Sequence, residues 1–470
     1  MFSKLRGNNR LILFITVLAP FMATIDTSVT NIALPVMANA LHVSSAAVAW
    51  VANAYFITLI ADIILFGKLG DIYGQAKIFQ LGILIFTIGS LLCSLAPTLP
   101  LLIAARIIQA IGGGATMANS QAIIVRAFPG AGRGKALGIN GAFVALGFVT
   151  GPSLGGFIIA LAGWPCMFLI NIPFGLLVFI GGLLIFPHER QQHIPLDFKG
   201  ALLFALSMSN LFYILQESQI HGFFTPFILI CSCISVISFL LFIKLERQIT
   251  YPVLDLHIFE NNLFSISIFC AFTSYMAISA FSFIMPFYLE YIRQLDSASA
   301  GLYMSLYPLL LIVVSPLCGA LSDHIGGAER LTIIGLSLTA CGLFLVGFVT
   351  VNTSLSSIAL LIALMGIGNG AFQPPNNYIV MSSVPSNKIG IAGSVNALIR
   401  YIGNAAGIAV ANTLLYTGMS IILGHHITTF TNGHNIAFLF GMKSACIVIA
   451  VICTLGIILT IRRRLYKAVV

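Results

Sequence analysis

The sequence predicts an all-α polytopic membrane protein of fourteen transmembrane helices, arranged as two pseudo-symmetric six-helix bundles with an inserted helix pair between them. Three observations carry that prediction. Hydrophobic residues make up 59% of the chain and Asp, Glu, Lys and Arg only 7%, against about 25% charged residues in ordinary soluble domains. The apolar residues fall in runs of hydrocarbon length, and a helix needs about 20 of them to cross a bilayer. A short polar stretch at 67–77, with Gly67, Asp71 and Gly74, recurs as Gly319, Asp323 and Gly326, each 252 residues further on. A charged turn repeated at one offset, flanked both times by apolar segments, is what two equivalent bundles would leave in a sequence.

Taken in order, the apolar runs place helices at about 11–35, 46–67, 76–96, 98–125, 135–161, 164–186, 199–217, 223–243, 263–290, 298–321, 330–350, 355–380, 389–418 and 442–461. Most connections are short, so consecutive helices run antiparallel. The two longer ones, near 187–198 and 244–262, flank helices 7 and 8. The expected organisation is therefore residues 1–186 as one six-helix bundle, 187–262 as the inserted segment, and 263–470 as the second bundle. Further echoes support the duplication. Residues 111–115, IGGGA, match 367–371, IGNGA, and Gly151 and Gly155 match Gly403 and Gly407.

Orientation follows from the basic residues. With the first segment inside, alternate loops and both ends collect Lys4, Arg6, Arg10, Lys68, Lys77, Arg126, Arg133, Lys135, Arg190, Lys199, Lys244, Arg247, Arg330, Lys388, Arg462, Arg463, Arg464 and Lys467. That is eighteen of the 22 Lys and Arg. The bias obeys the positive-inside rule and sets both termini in the cytoplasm. It also accounts for the net charge of +9 without any nucleic-acid partner. Trp50 and Trp164 each begin a helix on the outer side, where interfacial aromatics belong. The apolar run after Arg10 continues to about Pro35, too long for a signal-peptide core, which implies an uncleaved first helix. All nine cysteines fall inside apolar runs and read as buried free thiols.

Charges within the spans are costly and are functional candidates by default. They are Asp26, Asp62, Arg106 and Arg400. At a rise of 1.5 Å per residue, Asp26 and Arg106 lie at about the same depth below the outer surface. An acid beside an arginine fits either a group that exchanges its partner for a proton or a cationic substrate, or a static ion pair. Asp62, near the inner end of helix 2, fits an inner vestibule or a side chain reaching out to the interface. Arg400 has Asn396 and Asn404 four residues either side, on one face. That pattern fits cavity lining and helix-to-helix hydrogen bonding equally. In helix 5, Gly147, Gly151 and Gly155 recur every fourth residue, with Pro152 and Gly156 beside them. This smooth face permits close packing, and Pro152 removes one backbone hydrogen bond.

Several enzyme-like patterns carry no chemistry. Gly151 to Gly155 fits G-x-S-x-G, but it lies inside a membrane helix and not on a strand-to-helix elbow. His425, His426 and His434 have no acid or Cys near them in sequence to complete a metal site. Gly366 to Gly370 follows no strand. No enzyme activity, metal or cofactor is expected.

At this point the chain resembles the major facilitator superfamily, and in particular its fourteen-helix drug:proton antiporter family. Residues 67–77, GKLGDIYGQAK, resemble that family's loop between helices 2 and 3, G-x-L-x-D-x-x-G-x-x-[RK]. Asp26 to Pro35, DTSVTNIALP, is similar to its helix 1 signature. Arg106 and Gln109 before Gly112–Gly114 are similar to its helix 4 motif, and Gly147 to Gly156 to its helix 5 antiporter motif. Trp164 to Gly175, WPCMFLINIPFG, resembles the helix 6 signature of fourteen-helix members. Asp197-Phe198-Lys199-Gly200 and Pro252-Val253-Leu254 resemble segments around the extra helix pair. The family's loop has basic residues where this chain has Ile72 and Gln75, which weakens the expected gating contacts, and its pattern has no acid at Asp62.

The resemblance implies alternating access and proton-driven efflux of lipophilic, cationic drugs or toxic compounds across a bacterial plasma membrane. Asp26 would be the titrating group, Arg106 its partner, and Asp71 part of a cytoplasmic gate. In a host with an outer membrane, a periplasmic adaptor would be a further partner. The alternative is an exporter or exchanger of a specific metabolite or lipid-like anion, held by Arg106 and Arg400. The peptide symporters of the same size carry E-x-x-E-R in helix 1, and helix 1 here has no Glu. Labels placed near Asn432 should react from outside only, and labels at Val470 from inside only. Inside labelling of residues 420–441 would overturn the fourteen-helix map.

Overall fold

The computed structural model describes residues 7–130, 132–187, 195–221, 225–324, 327–425, 427 and 434–469. Fourteen long helices follow one another: α1 (Asn9–Ala40), α2 (Trp50–Tyr73), α3 (Gln75–Leu95), α4 (Leu99–Ala127), α5 (Arg133–Ala162), α6 (Cys166–Ile185, with a turn at Ile170), α7 (Phe198–His221), α8 (Pro226–Glu246), α9 (Asn262–Phe287), α10 (Ser297–His324), α11 (Ala328–Val346), α12 (Leu355–Ser382), α13 (Ile389–Leu423) and α14 (Asn435–Val469). Thirteen are long and apolar enough to cross a bilayer outright. The fourteenth, α5, does so as a span bent by 41° between Gly151 and Ser153. Pro152, which has no N–H to give the helix ladder, stands at the bend; its side chain lies outside the described residues. Lys4, Arg6, Arg190, Gly326 and Asn432 also lie outside them.

The helices start and stop for local reasons. The Asn8 side chain accepts from the N–H groups of Arg10 and Leu11 at the head of α1. Asn261 and Ser354 cap α9 and α12 in the same way. These acceptors satisfy amide donors that a first turn leaves without partners. At the other end, α2 stops at Gly74, whose φ of 103° is a conformation that side chains disfavour.

Several boundaries differ from the sequence expectation. The polar stretch at 67–77 is not a loop: α2 continues through Tyr73, so Gly67 and Asp71 are helical and Gly74 alone makes the break. Helix 1 runs past Pro35 to Ala40. Helix 14 starts at Asn435, which puts Lys443 inside it, with its ammonium 4.6 Å from the Phe348 ring centre. Trp164 precedes α6 and is not an interfacial anchor: it is 8% exposed and packs edge-on against Phe168. A flat apolar ring at a tight turn gains more from a neighbouring aromatic than from the surface.

Packing reproduces the duplication. Gly147, Gly151 and Gly155 of α5 lie against α1. A Cβ at each would stand 2.9 Å from Phe21 O and Thr24 Cβ, 2.6 Å from Ser28 Cβ, and 2.6 Å from Val29 Cγ1, respectively. In the second half, Gly403 and Gly407 of α13 lie against α9, where a Cβ would meet Phe272 O at 2.9 Å and Met276 O at 2.3 Å. Gly156 is a correction: it is exposed, with nothing within 4 Å of a Cβ, and takes no part in the packed face. One hydrophobic cluster joins the first half to the inserted pair and to α13, and a second lies within the second half.

The inserted helices hold each other through reciprocal bonds. The Ser207 hydroxyl donates to Ser235 O at 3.0 Å, and the Ser235 hydroxyl to Ser207 O at 2.9 Å. Phe212 of α7 packs on Phe56 of α2, ring centres 6.1 Å apart. The outer flank of α8 exposes Phe227, Ile230, Val236 and Leu240, apolar surface that a bilayer covers at no hydration cost.

Gly151→Leu and Gly155→Leu should each cut transport at least about tenfold while the protein still reaches the membrane, because overpacking a tight contact costs about 1–3 kcal/mol. Gly156→Leu should leave transport unchanged. Wild-type rates in both of the first two variants would remove the packing argument.

Candidate functional site

The structure brings Asp26 and Arg106 together in the apolar interior. Asp26 sits on α1 and Arg106 on α4. Arg106 Nη1 donates to Asp26 Oδ2 at 2.6 Å, with both side chains 1% exposed. The same Nη1 donates to Gln109 Oε1 at 2.6 Å, and Arg106 Nε donates to Val51 O at 3.1 Å. The other carboxylate oxygen of Asp26 accepts from Gln109 Nε2 at 2.9 Å and from Asn171 Nδ2 at 2.8 Å. Ser90 Oγ accepts from both amides. The guanidinium lies between two rings, 4.3 Å from the centre of Tyr55 and 5.7 Å from that of Phe168.

Every acceptor of Asp26 is therefore used. Removing one partner of such a buried pair costs about 3–5 kcal/mol, since the other charge is stranded. The equal depth of Asp26 and Arg106 was legible from helix rise. The bridging roles of Gln109, Ser90 and Asn171 were not. The only local signal was the three-residue spacing from Arg106 to Gln109, which puts both on one helix face.

Asp62 on α2 is the opposite case. Both of its carboxylate oxygens are buried without a hydrogen-bond partner among the described residues. The group does not reach out to the interface. It lies over Gly114 of α4, where a Cβ would stand 2.0 Å from Asp62 Oδ1. The preceding Gly113 makes the same room for Tyr55, whose hydroxyl would be 2.9 Å from a Cβ there. Gly113 and Gly114, noticed in the sequence as part of a repeat and of the helix 4 motif, are thus what lets two polar side chains of α2 lie against α4.

Arg400 on α13 has no acid among its hydrogen-bond partners. Its Nη2 is 3.5 Å from Met117 Sδ and 3.3 Å from the Tyr401 hydroxyl. Asn396 does not serve it. Asn396 Nδ2 donates instead to Gln121 Oε1 at 3.0 Å and to Asn377 Oδ1 at 2.9 Å, stitching α13 to α4 and α12. Phe56 lies 6.2 Å from Tyr401, ring centre to ring centre, across the boundary between the halves.

The repeated aspartates form two matching contacts on the face that the charge rule makes the inner one. Asp71, in the last turn of α2, accepts from Gly390 N at 3.0 Å and Ile391 N at 3.1 Å, the first amides of α13. Asp323, in the last turn of α10, accepts from Gly134 N at 2.8 Å and Lys135 N at 3.0 Å, the first amides of α5. Each half thus places a carboxylate on a helix N-terminus of the other half, where free N–H groups and the helix dipole favour an anion. Hydrogen bonds to a charged group contribute about 1.5–3 kcal/mol each.

Close approach is required for this. A Cβ on Gly67 would stand 1.7 Å from Ser394 Oγ and 3.0 Å from Gly390 O. Gln75, which stands where the resembled loop has a basic residue, supplies a neutral substitute: its Nε2 donates to Asp71 Oδ1 at 3.0 Å. Arg133 adds a further bond between the halves, to Ser382 Oγ at 2.8 Å. Together these bonds hold the two halves against each other along that face.

A buried acid–arginine network, a second acid without a hydrogen-bond partner among the described residues, and paired contacts between two duplicated halves suit a carrier. The comparisons with known proteins agree. The family model of the Major Facilitator Superfamily matches residues 16–408, and the chain belongs to that superfamily of transporters. It is 32% identical over 453 residues to the riboflavin transporter RibZ of Clostridioides difficile (strain 630), covering 96% of each chain. It is 29% identical over 421 residues to the multidrug resistance protein Stp of Mycobacterium tuberculosis (strain CDC 1551 / Oshkosh), covering 89% of this chain and 78% of that one. Among solved structures, the human organic anion transporter MFSD10 (TETRAN) superposes with a TM-score of 0.64 at 15% identity, over 96% of this chain and 99% of that one, a likeness of fold. The protein is a multi-pass secondary transporter, not an enzyme.

Asp71→Asn and Asp323→Asn should each slow turnover several-fold and leave substrate affinity within about twofold, because each weakens one end of the inner contact by roughly 1–2 kcal/mol. Loss of binding with normal turnover would place these residues in the substrate path instead.

Proposed function

We propose that this chain exports lipophilic cations in exchange for protons, as a member of the fourteen-helix drug:proton antiporter branch, with residues 1–186 and 263–470 rocking against each other as the two bundles. The segment 187–262 rides with the first bundle, since α7 packs on α2 through Phe212 and Phe56. The setting is the plasma membrane of a bacterium, with both termini in the cytoplasm. The observation that carries this reading is Asp62, a buried carboxylate with no hydrogen-bond partner among the described residues, on a helix that packs against α13 of the other half. Hydrocarbon disfavours a bare carboxylate, so such a group takes a proton or a cation.

Asp26 has a different part. Its partners lie on α4 and α6, and they bind Ser90 of α3 in turn; all are within the first bundle, so rocking leaves that network whole. Asp26 exchanges its partner only when a cation displaces Arg106. Asp62 sits on α2, which packs on α13 of the other half, so rocking changes its access to water in each half-cycle. We assign proton coupling first to Asp62 and second to the Asp26–Arg106 pair. Arg400 lines the same boundary from α13. The relatives named for multidrug resistance support a broad substrate range, and those named for methylenomycin A resistance and for tetracenomycin C resistance and export support efflux.

A second reading has one observation in its favour. Phe56, Phe212 and Tyr401 form an aromatic group at the boundary, with the Arg400 guanidinium 5.0 Å from the Tyr401 ring. Such a group suits a flat aromatic metabolite, and the relative that covers 96% of this chain is named for riboflavin.

The deciding experiment is transport in proteoliposomes with an imposed pH gradient, across lipophilic cations, anions and riboflavin. Uphill transport of cations alone supports the first reading, and of riboflavin alone the second. Asp62→Asn should abolish uphill export by at least a hundredfold while downhill exchange persists. Proton release on substrate binding should fall to near zero in that variant and persist in Asp26→Asn. The reverse pattern would return coupling to Asp26. Arg106→Lys should transport poorly, because a point charge cannot replace a guanidinium that serves three acceptors.

A further inference from the structure

Two acidic residues outside the transport site face each other at the foot of the inserted helices. Asp197 precedes α7, and its Oδ1 accepts from Gly200 N at 3.0 Å. Glu246 is the last residue of α8, is 4% exposed, and its Oε2 accepts from Leu254 N at 3.3 Å. The remaining oxygen of each, Asp197 Oδ2 and Glu246 Oε1, is buried with no partner among the described residues. Both point at Gly200, where a Cβ would stand 2.3 Å from Asp197 Oδ2 and 2.6 Å from Glu246 Oε1. The glycine is what lets the two carboxyl groups approach.

The charged groups around the pair do not satisfy it. Lys68 of α2 is the cation within electrostatic reach of Glu246, and no hydrogen bond joins it to either acid among the described residues. Lys68 also faces Asp71, Asp255 and Lys388. Lys199 on α7, and Lys244 and Arg247 around the end of α8, complete the local charges. Two carboxylates on one site do not both ionise without a counter-ion. A single proton makes one of them a donor to the other and satisfies both free oxygens at once. Asp197 also lines an open cleft of about 460 Å³ with Pro195, Gln248 and Tyr251, which gives water a route to the pair.

We infer that Asp197 and Glu246 share one proton, drawn from the inner aqueous phase, and that this proton-binding site steadies the inner gate. The connection runs through neighbours in sequence. Glu246 holds Leu254 N, and the next residue, Asp255, pairs with the Lys388 ammonium. Partial burial pushes the Asp255 carboxyl up, but Lys388 and His257 outweigh it and hold the group below its ordinary range, so this link stays ionic while the pair titrates. Lys388 directly precedes the amides of Gly390 and Ile391 that hold Asp71. Losing the shared proton sets two like charges face to face; their repulsion displaces Glu246, which carries Leu254 and Asp255 with it and loosens the first turn of α13.

The test uses the full chain in detergent, without substrate, so its outcome does not depend on what the protein transports. Infrared difference spectra across a pH titration should show a protonated-carboxyl band. With both variants made in an Asp62→Asn background, so that Asp62 adds nothing, Glu246→Gln should abolish that band and Asp197→Asn should move it to lower pH, since burial still disfavours a charged Glu246. Loss of half the band in each variant, or an unchanged band, overturns the sharing. Amide exchange at 389–391, corrected for its intrinsic pH dependence, should rise at least threefold as the wild-type pair loses its proton. It should stay low and flat in Glu246→Gln, which keeps a donor in place of the proton. Gly200→Ala, which puts a methyl group between the oxygens, should raise exchange at all pH values. Equal exchange profiles in wild type and Glu246→Gln overturn the link to the gate.

Discussion

A charge in hydrocarbon must find a partner or lose its charge, and this fold handles its four intramembrane charges in two ways. Asp26 and Arg106 are enclosed in a complete hydrogen-bond network with Gln109, Asn171 and Ser90. Among the described residues, Asp62 has no hydrogen-bond partner, and Arg400 has a thioether and a phenol. The first arrangement ties α1, α3, α4 and α6 into one body. The second leaves unmet demand near the boundary between the halves, where a transported ion is useful. A fully satisfied network rigidifies, whereas an unsatisfied group binds.

The closed inner face rests on the same economy of groups. A helix N-terminus offers free amides, and an aspartate at the end of another helix meets them. Because the chain is duplicated, the contact occurs twice, from Asp71 to α13 and from Asp323 to α5. Asp71 and Asp323 are only partly buried, so water can compete for their bonds. That suits a gate, which must hold and release within one cycle. The inserted helices touch this arrangement through Leu254, Asp255 and Lys388, so they are more than a spacer between the halves.

Sequence and structure agree best where one physical rule acts alone. Apolar runs located all fourteen helices, because hydrocarbon admits only segments whose backbone bonds close internally. They missed the ends, such as Tyr73 and Asn435, where a polar residue inside a helix looks the same as one in a loop. The four-residue glycine spacing in helix 5 located a packed face of Gly147, Gly151 and Gly155, and Gly156, which is off that spacing, is off the face too. Gly156 stands next to Gly155, about 100° around the helix, and turns away from α1.

What the sequence determined by itself was the class of molecule: a polytopic, duplicated membrane protein with a handful of buried charges and a repeated aspartate. Composition, run length and offset are properties of a one-dimensional chain, and they suffice for that. The tertiary structure decided which charges are satisfied. Asp26 and Asp62 are both lone acids in apolar helices, and nothing within a few residues of either tells them apart. Asp26 meets an arginine 80 positions away and an asparagine 145 positions away, while Asp62 meets a bare glycine face on α4. The partner of a buried charge is set by which helix faces cross at its depth, and that crossing exists only once the bundle is packed.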